Sequence, residues 1–120
     1  MAGCGGSRED TTQRYGFVIG LNPEKKAEYV RIHAAVWPDV LNMIMACNIK
    51  NYSIYLKEPE NLMFACYEYH GADHAADMAK MAADPVTQEW WAVCMPFQAP
   101  LMSRKEGEWW AGLDEVCHLE

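Results

Sequence analysis

An α+β domain of the order β-α-β-β-α-β is what this sequence predicts, and three observations carry the reading. Short runs of β-branched, aromatic and apolar residues stand at 15–21, 49–57 and 62–70, with a fourth at the end of the chain. The stretches that separate the first from the second, and the third from the fourth, have helical composition and Pro-initiated starts. The two middle runs are divided by only the polar EPEN, so they pair most simply as a hairpin.

Each element follows in order. Residues 1–14, MAGCGGSREDTTQR, are small, polar and Gly-rich, and predict a disordered tail before a single domain at 15–120. YGFVIGL (15–21) is the first strand. Asn22 then caps a helix whose first position is Pro23, and EKKAEYVRIHAAV continues it. Pro38 disfavours helical geometry at Trp37, so the helix breaks there and restarts as PDVLNMIMAC. IKNYSIYLK (49–57) and LMFACYEYH (62–70) are the hairpin. DHAADMAKMA (73–82) is a helix of high propensity. DPVTQEWWAVCM begins another, with Asp84 as cap and Pro85 at its first position, which sets Trp90 and Trp91 near its middle. A Pro-rich loop leads to GLDEVCHLE (112–120), the expected last strand.

This is the split βαβ, or ferredoxin-like, order. Its four-stranded sheet has helices on one face only. In NYSIYL, Tyr52, Ile54 and Leu56 share one side while Ser53 and Tyr55 share the other, so both faces carry apolar bulk. A second subunit packed sheet to sheet, or a ligand, would cover the bare face.

Composition narrows the function classes. With 120 residues, 51% of them hydrophobic, the chain buries the core of one domain. A net charge of −7 without any Lys/Arg block argues against nucleic acid and against an anionic membrane. No apolar run approaches the roughly 18 residues of a membrane span, and the N-terminal stretch lacks the apolar centre of a signal peptide, so a cytoplasmic location is expected. Five cysteines, at 4, 47, 66, 94 and 117, include no C-x-x-C pair and read as buried thiols.

The chemistry centres on EYVRIHAAVWP. Tyr29 and His33, four apart, stand one above the other on a helix, with Trp37 one turn further. As a lone triplet this is an ordinary sheet-facing stripe with a hydrogen-bonded histidine. Trp90 and Trp91 change its weight: helical neighbours point about 100° apart, so one interior stripe cannot take both indoles. An imidazole that titrates near neutrality, phenol donors and an indole face are what a small carbohydrate site needs. His70 and His74 also lie four apart, but Gly71 separates them at a strand end and no third ligand is evident, so no metal site is expected.

FVIGLNPEKKAEYVRIHAAVWPDV, NYSIYL, NLMFACYEY, EWWAVCMP and EVCHLE together resemble, in order and spacing, the L-rhamnose mutarotase family, which includes L-fucose-acting relatives. The resemblance covers 15–118 and rests on E-Y-x-x-x-H-x-x-x-W-P, N-Y-x-I-Y-L and the W-W pair. It implies a homodimeric α+β barrel without metal or cofactor, His33 as proton donor, and Tyr29, Tyr52, Trp90 and Trp91 as sugar contacts. The implied reaction opens a pyranose to its aldehyde and recloses it as the other anomer. The resemblance does not settle the base: Glu115, Tyr52 and a water are the alternatives. Two departures are Cys117, where relatives carry an aromatic, and the added GEWW at 107–110, whose Trp109 and Trp110 stand where they could reshape or close the pocket. The same β-α-β-β-α-β dimer also hosts small monooxygenases, and a non-catalytic sugar-binding or interaction module is a third alternative.

Overall fold

The structure, a computed structural model, describes residues 12–120. Residues 1–11 of the expected tail lie outside the described residues. Its last two do not belong to a tail, because strand β1 (Gln13–Leu21) begins with them. The reason is the neighbour: Gln13 and Arg14 pair with Tyr69 and Glu68, so ladder hydrogen bonds extend a strand that its own polar side chains do not announce.

After β1 the Asn22 side chain accepts from the Glu24 N–H (3.0 Å), and Pro23 opens a single 3-10 turn that runs into α1 (Lys26–His33). Trp37 is extended (ψ 135°), as the following proline requires, and Pro38 opens α2 (Pro38–Ala46). Strands β2 (Ile49–Lys57) and β3 (Leu62–Tyr69) form the expected hairpin. A bulge between Lys50 and Ser53 places Asn51 at φ 54°, a left-handed conformation that asparagine tolerates. Helix α3 (His74–Ala83) is capped by Asp73. Helix α4 (Pro85–Cys94) is capped by Asp84, which accepts from the Thr87 N–H at 2.9 Å, a bond of the kind worth about 1 kcal/mol to a helix.

The chain end departs from expectation. The predicted strand over 112–120 is realised only as β5 (Ala111–Leu113), while a two-residue strand β4 (Gln98–Ala99) lies inside what reads as loop. Together they occupy one edge of the sheet: β4 faces Gly20 and Leu21, and β5 faces Gly16, Phe17 and Val18. Residues 114–120 carry no regular secondary structure. Val116 and Leu119 are 94% and 84% exposed, because among the described residues that segment pairs with no strand.

The sheet is antiparallel throughout, in the order β2-β3-β1-β4 with β5 also on β1. Register aligns Leu56 with Met63 and Met63 with Ile19, and this side meets the helices through Tyr29, Val40, Trp90 and Cys94. A second core cluster at the other end joins Ile49, Tyr67 and Tyr69 to Cys47 and Met81. The opposite face carries Tyr55, Phe64 and Leu113, all exposed. Cysteines divide with the faces. Cys47 and Cys94 are buried, but Cys66 is exposed on the uncovered face and Cys117 in the unpaired end, against the expectation of buried thiols; Cys4 lies outside the described residues. No helix among the described residues is long and apolar enough to cross a membrane.

Candidate active site

The last turn of α1 builds the first part of the site. The rings of Tyr29 and His33 stack, with centroids 4.0 Å apart and planes 22° from parallel. His33 Nδ1 lies 2.8 Å from the Tyr29 carbonyl oxygen. A carbonyl only accepts, so Nδ1 carries the proton and donates it, and the neutral ring keeps a lone pair on Nε2. Burial pushes the His33 pKa below the ordinary histidine value, and the Tyr29 carbonyl opposes that shift without reversing it. At neutral pH His33 is therefore an uncharged imidazole whose Nε2 can take up a proton.

Helix α4 supplies the wall. Trp90, 6% exposed, meets His33 edge-on at 5.2 Å and Trp37 edge-on at 5.1 Å. Trp37 lies beyond the end of α1, so the expected three-residue helical stripe is broken in chain but restored in space by Trp90. Trp91 is 39% exposed, and among the described residues no ring contact joins it to Tyr29, His33 or Tyr52. The adjacent pair thus divides as its helical geometry requires: one indole enters the cluster and the other does not.

Tyr52 arrives from β2, its ring tilted against Tyr67 at 5.4 Å. The side chain is 44% exposed, yet its hydroxyl end is deep enough for desolvation to push its pKa up to about 12, with Cys94 adding to the shift. Tyr29 is pushed up as well, by burial first, while Gln98 opposes the shift and Cys94 and Tyr52 add to it. Cys94 thus contributes to the raised pKa of both phenols, though among the described residues no ring contact joins Tyr52 to Tyr29 or His33. Both phenols are protonated at neutral pH and can act as hydrogen-bond donors.

Two further residues join the site: Gln98, which the sequence does not announce, and Trp109 of the GEWW segment that the sequence singles out. Gln98 Nε2 donates to Tyr29 Oη at 3.1 Å, and Trp109 Nε1 donates to Gln98 Oε1 at 2.7 Å. Gln98 comes from β4, which sequence reads as loop; the GEWW segment was the only hint. Gly20 makes the approach possible, since a Cβ there would fall 2.6 Å from the Ala99 carbonyl oxygen. Trp109 and Trp110 both pack against the main core.

The expected carboxylate is elsewhere. Glu115 is ion-paired with Arg14 at 2.9 Å, and that bond holds its pKa below the usual carboxylate range. Glu68 accepts from Asn51 and lies 3.0 Å from His70 Nε2, while Glu89 is exposed. His70 and His74 have separate partners, Glu68 and Tyr67, and among the described residues no three metal-ligating side chains converge. An open cavity of about 360 Å³ lies against the outer side of the wall, at Trp37 and Trp90, with Ile32 and Val93 on its rim. Another, of about 380 Å³, lies at the far end of the sheet around Arg14, Cys66 and Glu115.

Comparison with known proteins places this geometry. The sequence model described as L-rhamnose mutarotase matches residues 14–119. Curated proteins named L-rhamnose mutarotase are similar to the chain. That of Phocaeicola vulgatus is 35% identical over 79 residues, 66% of this chain and 73% of that protein. That of Mesorhizobium japonicum is 34% identical over 83 residues, 67% and 73% of the two chains. That of Verminephrobacter eiseniae is 35% identical over 82 residues, 68% and 74%. The crystal structure of an L-rhamnose mutarotase from Formosa agariphila superposes with a TM-score of 0.69, at 22% identity, over 90% of this chain and 99% of that one, which establishes a shared fold. A family match across nearly all of the described chain, on the elements that carry Tyr29, His33, Tyr52 and Trp90, leads to one assignment: the chain belongs to the L-rhamnose mutarotase family.

Proposed function

We propose that the protein interconverts the α and β anomers of a 6-deoxy-L-hexose, L-rhamnose or L-fucose, at the Tyr29–His33–Tyr52–Trp90 cluster. The observation that carries this reading is His33, whose Nδ1 is tied to the Tyr29 carbonyl and whose ring lies between Tyr29 and Trp90, while among the described residues its Nε2 has no hydrogen-bond partner.

Ring opening needs a proton taken from the anomeric hydroxyl and one delivered to the ring oxygen. Both oxygens are bonded to the same carbon, so one nitrogen can serve both. His33 Nε2 accepts the anomeric proton as the C1–O5 bond breaks, and the anomeric oxygen becomes the aldehyde oxygen. The imidazolium so formed gives its proton to O5. Rotation about C1–C2 turns the other face of the aldehyde to O5, and the same transfers in reverse close the opposite anomer. In this scheme the proton that His33 gives to the ring oxygen is the one it took from the anomeric hydroxyl, so no carboxylate is required. Tyr29 and Tyr52 donate hydrogen bonds to sugar hydroxyls, and Trp90 offers an apolar wall to the methyl-bearing face of the sugar. Trp91 completes that wall on sequence grounds alone.

Assembly is part of the proposal. Exposed Tyr55, Phe64 and Leu113 on a helix-free sheet face support a homodimer, and light scattering is expected to report about twice the chain mass of 13.7 kDa. A cytoplasmic location is supported by the free thiols of Cys47, Cys66, Cys94 and Cys117. Exchange NMR of the anomeric protons tests the reaction. L-rhamnose or L-fucose is expected to exchange faster with protein than in buffer, and D-glucose less so. Equal rates with and without protein for all three sugars would refute it.

A further inference from the structure

The indole N–H of Trp109 can only donate, and it does so to Gln98 Oε1 at 2.7 Å. That fixes which end of the Gln98 amide is which: the oxygen faces Trp109 and the NH₂ group faces Tyr29. At 3.1 Å the NH₂ group donates to Tyr29 Oη, so the phenol oxygen is bound as an acceptor and its own proton must point elsewhere. Among the described residues that proton meets no acceptor.

The loop that carries Trp109 is itself held. The Glu108 carboxylate accepts from the Lys105 N–H at 2.9 Å and from the Gly112 N–H at 3.3 Å, which ties the start of the loop's last turn to β5. Gln98 is held from its backbone side by the ladder of β4 on Gly20 and Leu21. Trp109 and Gln98 are therefore both anchored before any sugar arrives.

We infer that Gln98 and Trp109 are positioning residues that make Tyr29 an obligate hydrogen-bond donor to a sugar oxygen. Without them the phenol O–H is a free rotor that can accept as readily as donate, and part of the binding and orientation is lost to settling it. The relay therefore selects for a sugar oxygen that accepts at the Tyr29 position. This inference rests on the mutarotase reading above and adds to it two residues from outside the E-Y-x-x-x-H segment.

Three variants test it, each first shown folded and of wild-type mass by circular dichroism and light scattering. Gln98→Leu is expected to raise KM for anomer exchange and to lower kcat, each by roughly 3- to 10-fold, the worth of one oriented hydrogen bond. Trp109→Phe keeps the ring and removes only the N–H, so it should give the same pattern at smaller size. Gln98→Glu is diagnostic. As a carboxylate the new side chain can only accept, from Trp109 on one side and from the Tyr29 O–H on the other, so it turns the Tyr29 proton away from the sugar. When protonated it can donate to Tyr29 again. Its exchange rate relative to wild type at the same pH is therefore expected to recover as the pH falls through the pKa of the introduced group and to drop as the pH rises. A residue that merely filled space would give no such pH-dependent ratio. If wild type accelerates exchange but Gln98→Leu leaves KM and kcat unchanged, or the Gln98→Glu ratio is flat with pH, the relay is wrong and the mutarotase reading stands. If wild type accelerates no sugar, both fall together.

Discussion

Two histidines in this molecule stack on tyrosines at almost the same distance, and they are held in different ways. His33 lies 4.0 Å from Tyr29 and His74 lies 3.9 Å from Tyr15, centroid to centroid. Burial depresses the pKa of both. The difference is in the nitrogens. His74 Nε2 sits 2.8 Å from the buried Tyr67 hydroxyl, so the ring is spent on holding β3 to the first turn of α3. His33 bonds through Nδ1 to a carbonyl of its own helix and meets Trp90 edge-on, and among the described residues its Nε2 has no hydrogen-bond partner. Aromatic company, a shifted pKa and one ring nitrogen without a hydrogen bond among the described residues are common to both; what distinguishes them is the bonded nitrogen, which reaches another element in His74 and stays within its own helix in His33.

The largest effect should come from breaking that contrast at His33. His33→Ala is expected to slow the catalysed anomer exchange by roughly 10²- to 10⁴-fold, the usual contribution of a positioned acid or base, while sugar affinity stays within a few-fold. His74→Ala should leave exchange within a few-fold of wild type. A folded His33→Ala protein with near-normal exchange would make His33 as structural as His74 and end the assignment.

The Trp pair offers the next test. Trp90 is buried against His33 and Trp37, so Trp90→Ala should cost about 3–5 kcal/mol of stability and weaken sugar binding as well. Trp91→Ala, at an exposed position, should cost far less stability. Urea midpoints and NMR titration with the sugar measure the two. Equal losses for the two variants would contradict the division of labour between the indoles.

At the structural histidine the expected loss is smaller and of a different kind. His74→Ala strands the hydroxyl of Tyr67, a buried residue, and should cost about 1–3 kcal/mol in urea unfolding. His74→Ala with unchanged stability would mean that the Tyr67 bond contributes nothing to the second core cluster.

Much of this was readable in advance, and the reasons separate cleanly. The break at Trp37–Pro38, the Asp84 cap with Pro85, and the hairpin at 49–57 and 62–70 are local rules, fixed by proline geometry, side-chain capping and alternation. Tyr29 and His33 fall four apart on one helix, so their stacking follows from helical spacing alone. Gln98 was not legible, because its role depends on a two-residue strand held by Gly20 and Leu21, seventy-odd positions away in sequence. Nor was the commitment of His74, for the hydroxyl that claims it stands on another element. The last strand was overextended for the same reason: its apolar residues read as core, but whether Val116 and Leu119 find a surface depends on what lies opposite them.

The smallest effect expected is in pH, where the two histidines separate a second time. Both imidazoles titrate lower in the folded chain than in the unfolded one, so below about pH 6.5 the unfolded state takes up protons that the folded state refuses. Stability is therefore full above that pH and declines as the pH falls through the folded values. Carboxylates such as Asp77 and Glu115, whose pKa values are lowered, add their own losses only at more acidic pH. Removing His74 should flatten the decline below about pH 6.5, because one of the two reluctant groups is gone. Exchange should follow His33 alone. If Nε2 must be free to take the anomeric proton, the catalysed rate, corrected for buffer, stays level from pH 7 to 8.5 and falls as the pH drops through the depressed His33 value, in wild type and His74→Ala alike. The opposite sign, a rate that rises on acidification toward pH 6, would mean that the imidazolium is the form that binds the sugar and that some other group removes the anomeric proton.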